Sequence, residues 1–362
     1  MSPLVEVIRK EIEKRGVVSF ARFMERALYE PELGYYETEV ALGRAGDFYT
    51  NVSVGPLFGE LLAFQFATWL DGSDDEISIV EAGAHDGILA ADVLGYLQQF
   101  QEGLLDRVEY VIVEPSAVRR EWQVATLESF LDHVRWVDDL GDLGEDKVRG
   151  VVFCNELLDA FPVHRLGWDA SASEWFEWGV AWGGDGFAWE RMEEAELKAV
   201  RSQTLQVPRE LREALPDGFV TVACPRAAKW WTTAANCLNQ GRLLTIDYGM
   251  EAEAFFAPER VNGTLRAFHR HQVLGDLLAD VGRQDITSSA NFTVLRSMGE
   301  LAFLVSHPLR TQEKFLMEIF RRTLKRPGQF PEWSSERKRQ FQTLTHPEHL
   351  GRPFRVLVQE RG

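Results

Sequence analysis

Cysteine is scarce in this chain. Three occur in 362 residues, Cys154, Cys224 and Cys237, and an odd number at such wide spacing supplies no disulfide framework. Cys-x-x-Cys and His-Glu-x-x-His spacings are missing, and the closest histidines, His269 and His271, sit in a stretch shared with arginine, so no dedicated metal site is expected. No apolar run reaches membrane-spanning length, which removes a membrane partner from the expectation. The opening MSPLVEVIRKEIEKRG mixes Glu with Lys and Arg and has neither a secretory apolar core nor the acid-poor character of a mitochondrial presequence. A reducing cytoplasm is the expected compartment. Positive charge is the last deficit: 39 Lys and Arg against 56 Asp and Glu leave a net charge of −17. That balance repels nucleic acid and acidic lipid; it keeps the protein soluble and suits a basic protein client.

What is present is ordinary globular material, 45% apolar and 26% charged, in a chain long enough for two domains or one large unit with an insertion. Leu4, Val7, Ile8 and Ile12 repeat at helical spacing. Ser19 can cap a second helix whose Phe20, Phe23, Met24, Ala27 and Leu28 share a face, and a third runs over 54–70. Residues 1–75 therefore form a helical extension.

From residue 77 short apolar runs at 77–81, 108–114, 134–137, 151–154 and 243–247 alternate with helical stretches, with two more strands expected at 301–305 and 354–358. The rhythm predicts an α/β fold: a mostly parallel, doubly wound, Rossmann-like sheet. Its core is assigned to 76–160 and 223–362. Between them, 161–222 carries Trp168, Trp175, Trp178, Trp182 and Trp189 among Gly and Asp, the pattern of an inserted β-rich cap. Two accounts of those tryptophans stand side by side: a surface facing substrate, or the insertion's own small core.

The segment EAGAHDGIL turns sharply out of the first strand. Glu81 ends the strand, Gly83 and Gly87 let backbone approach a ligand, and the following helix offers its first amides. His85 stands where a dinucleotide turn needs glycine, so a pyrophosphate ligand and a nicotinamide-dependent dehydrogenase are disfavoured. Glu114, after the second strand, is placed to accept from both hydroxyls of a ribose. The fourth strand delivers NELLDAFPVH, where Asn155 can face cofactor or substrate and Glu156 with Asp159 can hold a cation, most suitably a guanidinium. Helix capping would explain Asn155 and Asp159 too.

These residues, with GDFYTNVSVGPLFGE at 46–60, IDYG at 246–249, GTLRAF at 263–268, TQEKFL at 311–316 and a closing LGRPFRVLV, resemble the MidA-like family of S-adenosylmethionine-dependent methyltransferases over nearly the whole chain. The resemblance implies a seven-strand methyltransferase sheet with a helical extension and an inserted cap. It implies S-adenosyl-L-methionine held by Glu81, Gly83, His85, Gly87, Glu114 and Asn155, with Phe48 and Thr50 of the GDF-x-T motif closing over the crevice. It further implies methylation of a protein arginine, because a mitochondrial relative is associated with arginine dimethylation of a respiratory complex subunit. Glu156 and Asp159, with Asp47, would then fix the guanidinium. Three positions depart from the family: His85 replaces a glycine, and DITSSANF has Ser289 and Asn291 where the family has His and Asp. Those departures support an alternative, a cofactor-binding assembly factor with little or no turnover.

Overall fold

The computed structural model describes residues 2–38, 50–72, 76–184, 186–193, 205–269 and 272–362. They gather into two compact units, a sheet unit of residues 50–157, 230–248 and 298–362, and a second unit of residues 2–38, 158–229 and 249–297.

The sheet unit is organised by β1 (Ile77–Ala82), β2 (Val108–Val113), β3 (Val134–Val137), β4 (Val148–Asn155), β5 (Leu238–Met250, through residue 248) and β6 (Phe354–Arg361). Their order is β3-β2-β1-β4-β5-β6. The first five are mutually parallel, and β6 runs antiparallel to β5, with Leu244 opposite Val358 and Ile246 opposite Val356. The short strands Val305–Ser306 and Arg310–Thr311 pair with β6. With Val305–Ser306 the ordered path has the seven strands expected. Strands buried on both faces need apolar residues without alternation, and Ile79, Val80, Val151 and Val152 are all fully buried. The longer helices wholly within this unit are α1 (Leu57–Leu70), α2 (Ile88–Phe100), α3 (Ala117–Thr126), α4 (Gln312–Thr323) and α5 (Ser335–Thr345). Helix α1 is apolar nearly all round and belongs in the core; the ring of its Phe66 lies 5.1 Å from that of Phe153 on β4. Gly59 lets α1 meet α2 closely, since a Cβ there would fall 2.4 Å from that of Asp92.

In the second unit, helices Pro3–Arg15 and Phe20–Tyr29 start at Ser2 and Ser19, whose hydroxyls accept from Val5 and Arg22 amides. An antiparallel sheet joins Val18–Ser19, Glu174–Gly183, His164–Asp169 and Val220–Ala223, with Gly186–Arg191 closing a hairpin. Phe20 packs 5.0 Å from Trp189 and Phe23 packs 5.1 Å from Phe187, while Trp168 and Trp175 are buried. The tryptophan-rich insertion thus builds a core with the first two helices.

The units cut the chain otherwise than at 75, 160 and 222. The aromatic stripe of Phe20–Tyr29 needs the insertion's strands to cover it, whereas uniformly apolar α1 is absorbed by the sheet unit, so the N-terminal extension is divided. Residues 249–297 join the insertion, Phe255 and Ile286 being part of its core. The strand expected at 301–305 is also corrected: Leu301 closes the helix Phe292–Leu301, Phe303 takes φ 65°, and pairing begins only at Val305. A short apolar run does not distinguish a strand from a helix end. All three cysteines are free thiols. Among the described residues no helix is long and apolar enough to cross a membrane.

Candidate functional site

Strand order reverses between β1 and β4, where Ala82 lies beside Cys154, and ligands of such sheets bind beyond the carboxyl ends at that point. The backbone is constrained there. Gly83 has φ 80° and Gly87 φ 85°, and a Cβ on Gly83 would sit 3.0 Å from Leu157 of the loop after β4. Two residues that are not glycine also occupy the left-handed region, His85 at φ 48° and Glu156 at φ 51°. Each costs on the order of 1–3 kcal/mol, and such strain gathers at working sites. His85 is therefore accommodated in the conformation a glycine would take, its carbonyl held by Gln123 Nε2 at 2.9 Å.

The start of α2 carries no side-chain cap from Gly87, but Asp86 Oδ1 accepts from the Ile88 amide at 3.3 Å. Burial works to raise the Asp86 carboxyl, and His85 together with the Ile88 amide more than offset it, holding the group below its usual range. An ionised acid at the amides where a phosphate would sit strengthens the case against pyrophosphate.

Glu114 is buried after β2. Its Oε1 accepts from the Ser116 amide at 2.9 Å and lies 2.9 Å from Arg119 Nη2, while Oε2 is 3.3 Å from Gln123 Nε2. Gln123 Oε1 accepts from Trp136 Nε1, so this one side chain ties β3, Glu114 and the His85 turn together. Sequence reasoning missed Arg119 and Gln123; their i, i+4 spacing on α3 is the signal that marks a shared face. Glu81 turns elsewhere. Its Oε2 accepts from Tyr110 Oη at 2.6 Å inside the unit, and burial raises its carboxyl to about 7. Glu81 and Glu114 therefore hold separate partners.

After β4, Glu156 Oε1 accepts from the Asn51 amide at 2.8 Å and from Asn155 Nδ2 at 3.2 Å, and Asn51 Nδ2 donates to Asn155 Oδ1 at 3.1 Å. Fully buried Asn51 is the hub, since its Oδ1 also accepts from Gln312 Nε2 at 2.7 Å. It stands inside the GDFYTNVS block yet was not singled out. Thr50 is engaged locally, its Oγ1 accepting from the Ser53 amide and its amide donating to Ser53 Oγ. Asp47 and Phe48 lie outside the described residues.

Asp159 is part of the second unit. Its carboxyl is raised to about 7 by burial, opposed by the amides of Ala160 and Asp159 itself. Around it Tyr29 Oη donates to the Ala160 carbonyl at 3.0 Å and Tyr36 Oη donates to Asp285 Oδ1 at 2.8 Å. Burial first, then the charge of Asp285, pushes the Tyr36 phenol well above its ordinary value. Asn291 serves as a cap: its Oδ1 accepts from the Thr293 and Val294 amides at 3.1 and 3.3 Å.

A β3-β2-β1-β4-β5 parallel sheet with a glycine turn at the reversal and an acid closing β2 defines a doubly wound α/β protein with a site for a nucleoside cofactor. The family described as "Putative S-adenosyl-L-methionine-dependent methyltransferase" matches residues 61–308. The chain belongs to this family, Methyltransf_28, and its cofactor is S-adenosyl-L-methionine. A COG1565 superfamily protein from Burkholderia thailandensis, solved bound to S-adenosyl-homocysteine, superposes with TM-score 0.81 at 28% identity, covering 99% of this chain and 92% of that one. Protein arginine methyltransferase NDUFAF7 of Mus musculus is 26% identical over 98% of this chain and 83% of its own length, and that of Homo sapiens is 24% identical over 98% and 82%.

The residues present fit this cofactor. Sulfonium and ammonium outweigh its one carboxylate, so Asp86 at the start of α2 suits it where a phosphate would be repelled. Gly83 and Gly87 keep the approach open.

Proposed function

We propose that this methyltransferase acts on a guanidinium nitrogen of arginine in a basic protein client. Bound S-adenosylmethionine supplies an electrophilic methyl for in-line displacement. The observation that carries the arginine reading is the buried Asp159 carboxyl, held near neutrality by burial and met chiefly by backbone amides. A guanidinium arriving beside it would restore its charge and be fixed two bonds at a time. Glu156 follows β4 in a strained, hydrogen-bonded conformation and is suited to orienting the acceptor. Neither acid needs to be a strong base, because the nitrogen loses its proton as the new bond forms. The arginine methyltransferase names of the NDUFAF7 relatives support this reading, and the net charge of −17 suits an arginine-presenting client such as a respiratory complex subunit.

The test is incubation with labelled S-adenosylmethionine and protein extracts or arginine-rich peptides, followed by mass spectrometry of modified residues. Methylarginine that disappears in Asp159→Asn supports the proposal. Label on lysine or on a small molecule would sink the arginine assignment, and bound cofactor without product would leave a non-turning assembly factor.

A further inference from the structure

A cavity lies within the sheet unit, with a volume of 140 Å³. Gln65 and Trp69 of α1, Arg242 of β5, Arg322 of α4, and His307 with Arg310 at the β6 edge line it. Phe315, Val356 and Val358 supply an apolar floor. Arg242 precedes Asp247 on β5 by five residues, about 16 Å of strand, which sets this cavity back from the carboxyl ends where the cofactor turn lies.

Its polar groups are unevenly matched. Gln65 is 3% exposed; its Oε1 accepts from Arg322 Nη1 at 3.1 Å, and its buried Nε2 has no hydrogen-bond partner among the described residues. Arg310 and Arg322 share the single carboxylate of Glu318. Arg242 Nη2 and His307 Nε2 both lie 3.1 Å from Glu360 Oε2, and the Arg242 guanidinium sits 5.2 Å from the Trp69 ring centre. Three guanidinium groups thus face two carboxylates, and each guanidinium carries five N–H donors. The occupant that balances this wall brings acceptors and negative charge, while Trp69 and the floor call for hydrocarbon. A cavity of roughly 150 Å³ accepts a ring of benzene size.

We infer that this cavity binds a small organic carboxylate of about benzoate size, its carboxylate received by Gln65 Nε2 and the arginine edge and its carbon body by Trp69 and the floor. The site does not depend on what the methyl acceptor is.

Calorimetric titration of the full chain with benzoate, benzyl alcohol and inorganic phosphate tests it, each with and without saturating S-adenosylhomocysteine. Benzoate is expected to bind, and benzyl alcohol and phosphate to bind roughly tenfold or more weakly, since one lacks the charge and the other the carbon body. Gln65→Leu and Arg242→Met are each expected to weaken benzoate roughly tenfold, with S-adenosylhomocysteine making no difference. Absence of benzoate binding at millimolar concentration overturns the inference, as does equal affinity for benzyl alcohol or displacement of benzoate by S-adenosylhomocysteine. The ligand comparison on the unaltered chain decides the matter even if a variant does not fold.

Discussion

The two units bury acids on different terms. In the sheet unit Glu60 meets Arg337 through two bonds of 2.9 and 2.7 Å, and Glu114 meets Arg119. In the second unit Asp285 accepts from a tyrosine, Glu177 lies 2.6 Å from His164 Nδ1, and Asp159 is opposed in its burial by backbone amides. Burial disfavours the charged form of a carboxyl and hydrogen bonds to its oxygens work against that; at Asp159 burial outweighs the backbone amides. At Glu81 in the sheet unit burial likewise outweighs the hydrogen bond from Tyr110. The contrast is between acids met by arginine and acids met by tyrosine, histidine or backbone amides.

The largest expected effect falls on the sheet unit's turn. Gly83→Arg should abolish S-adenosylhomocysteine binding in calorimetry, because φ 80° already strains any side chain and the new one fills the approach. Cofactor affinity retained in that variant would mean the turn does not hold the ligand. Next come the acids after β4: Glu156→Ala and Asp159→Ala should each lower methyl transfer by roughly a hundredfold or more while cofactor affinity is kept. If only Asp159 matters, the substrate role belongs to the second unit and Glu156 is structural.

The pH dependence sharpens the comparison further. Glu81, Asp92 and Asp159 all have carboxyls raised to about 7, burial being the main cause in each. A raised folded-state value means the folded chain binds more protons than the unfolded one, so their contribution is full below about 4 and is lost as pH rises through 7. Urea unfolding should show stability falling across that interval, and Glu81→Gln should flatten the slope. A slope unchanged by that substitution would assign the effect to other groups. Smaller still, Asn51→Ala should cost about 1–3 kcal/mol in the same measurement by removing one of the two acceptors of the buried Gln312 amide, the Leu344 carbonyl being the other. Asn291→Ala should cost about 1 kcal/mol through the lost cap.

Much of the sheet was legible because its signals are local. Five parallel strands announced themselves as apolar runs, and the turn after β1 was marked by Gly83 and Gly87. Less of the site was legible. Glu114 was recognised as a strand-end acid, but its partners Arg119 and Gln123 sit on a helix whose character looks merely polar. Asn51 lies among other small polar residues, and nothing in its neighbourhood announces Gln312, 261 positions away, as its partner. Glu81 and Tyr110 are each ordinary strand residues until β1 and β2 are laid side by side.

By itself, the sequence determined the α/β class and the glycine turn, because periodicity and left-handed backbone are properties of a few neighbouring residues. Only the tertiary structure decided that α1 joins the sheet while the first two helices join the aromatic insertion, that Glu81 turns inward to a tyrosine, and that Asp159 is counted with the second unit. Those outcomes depend on which surfaces find cover and which buried polar groups find partners, and both are settled between segments far apart in the chain.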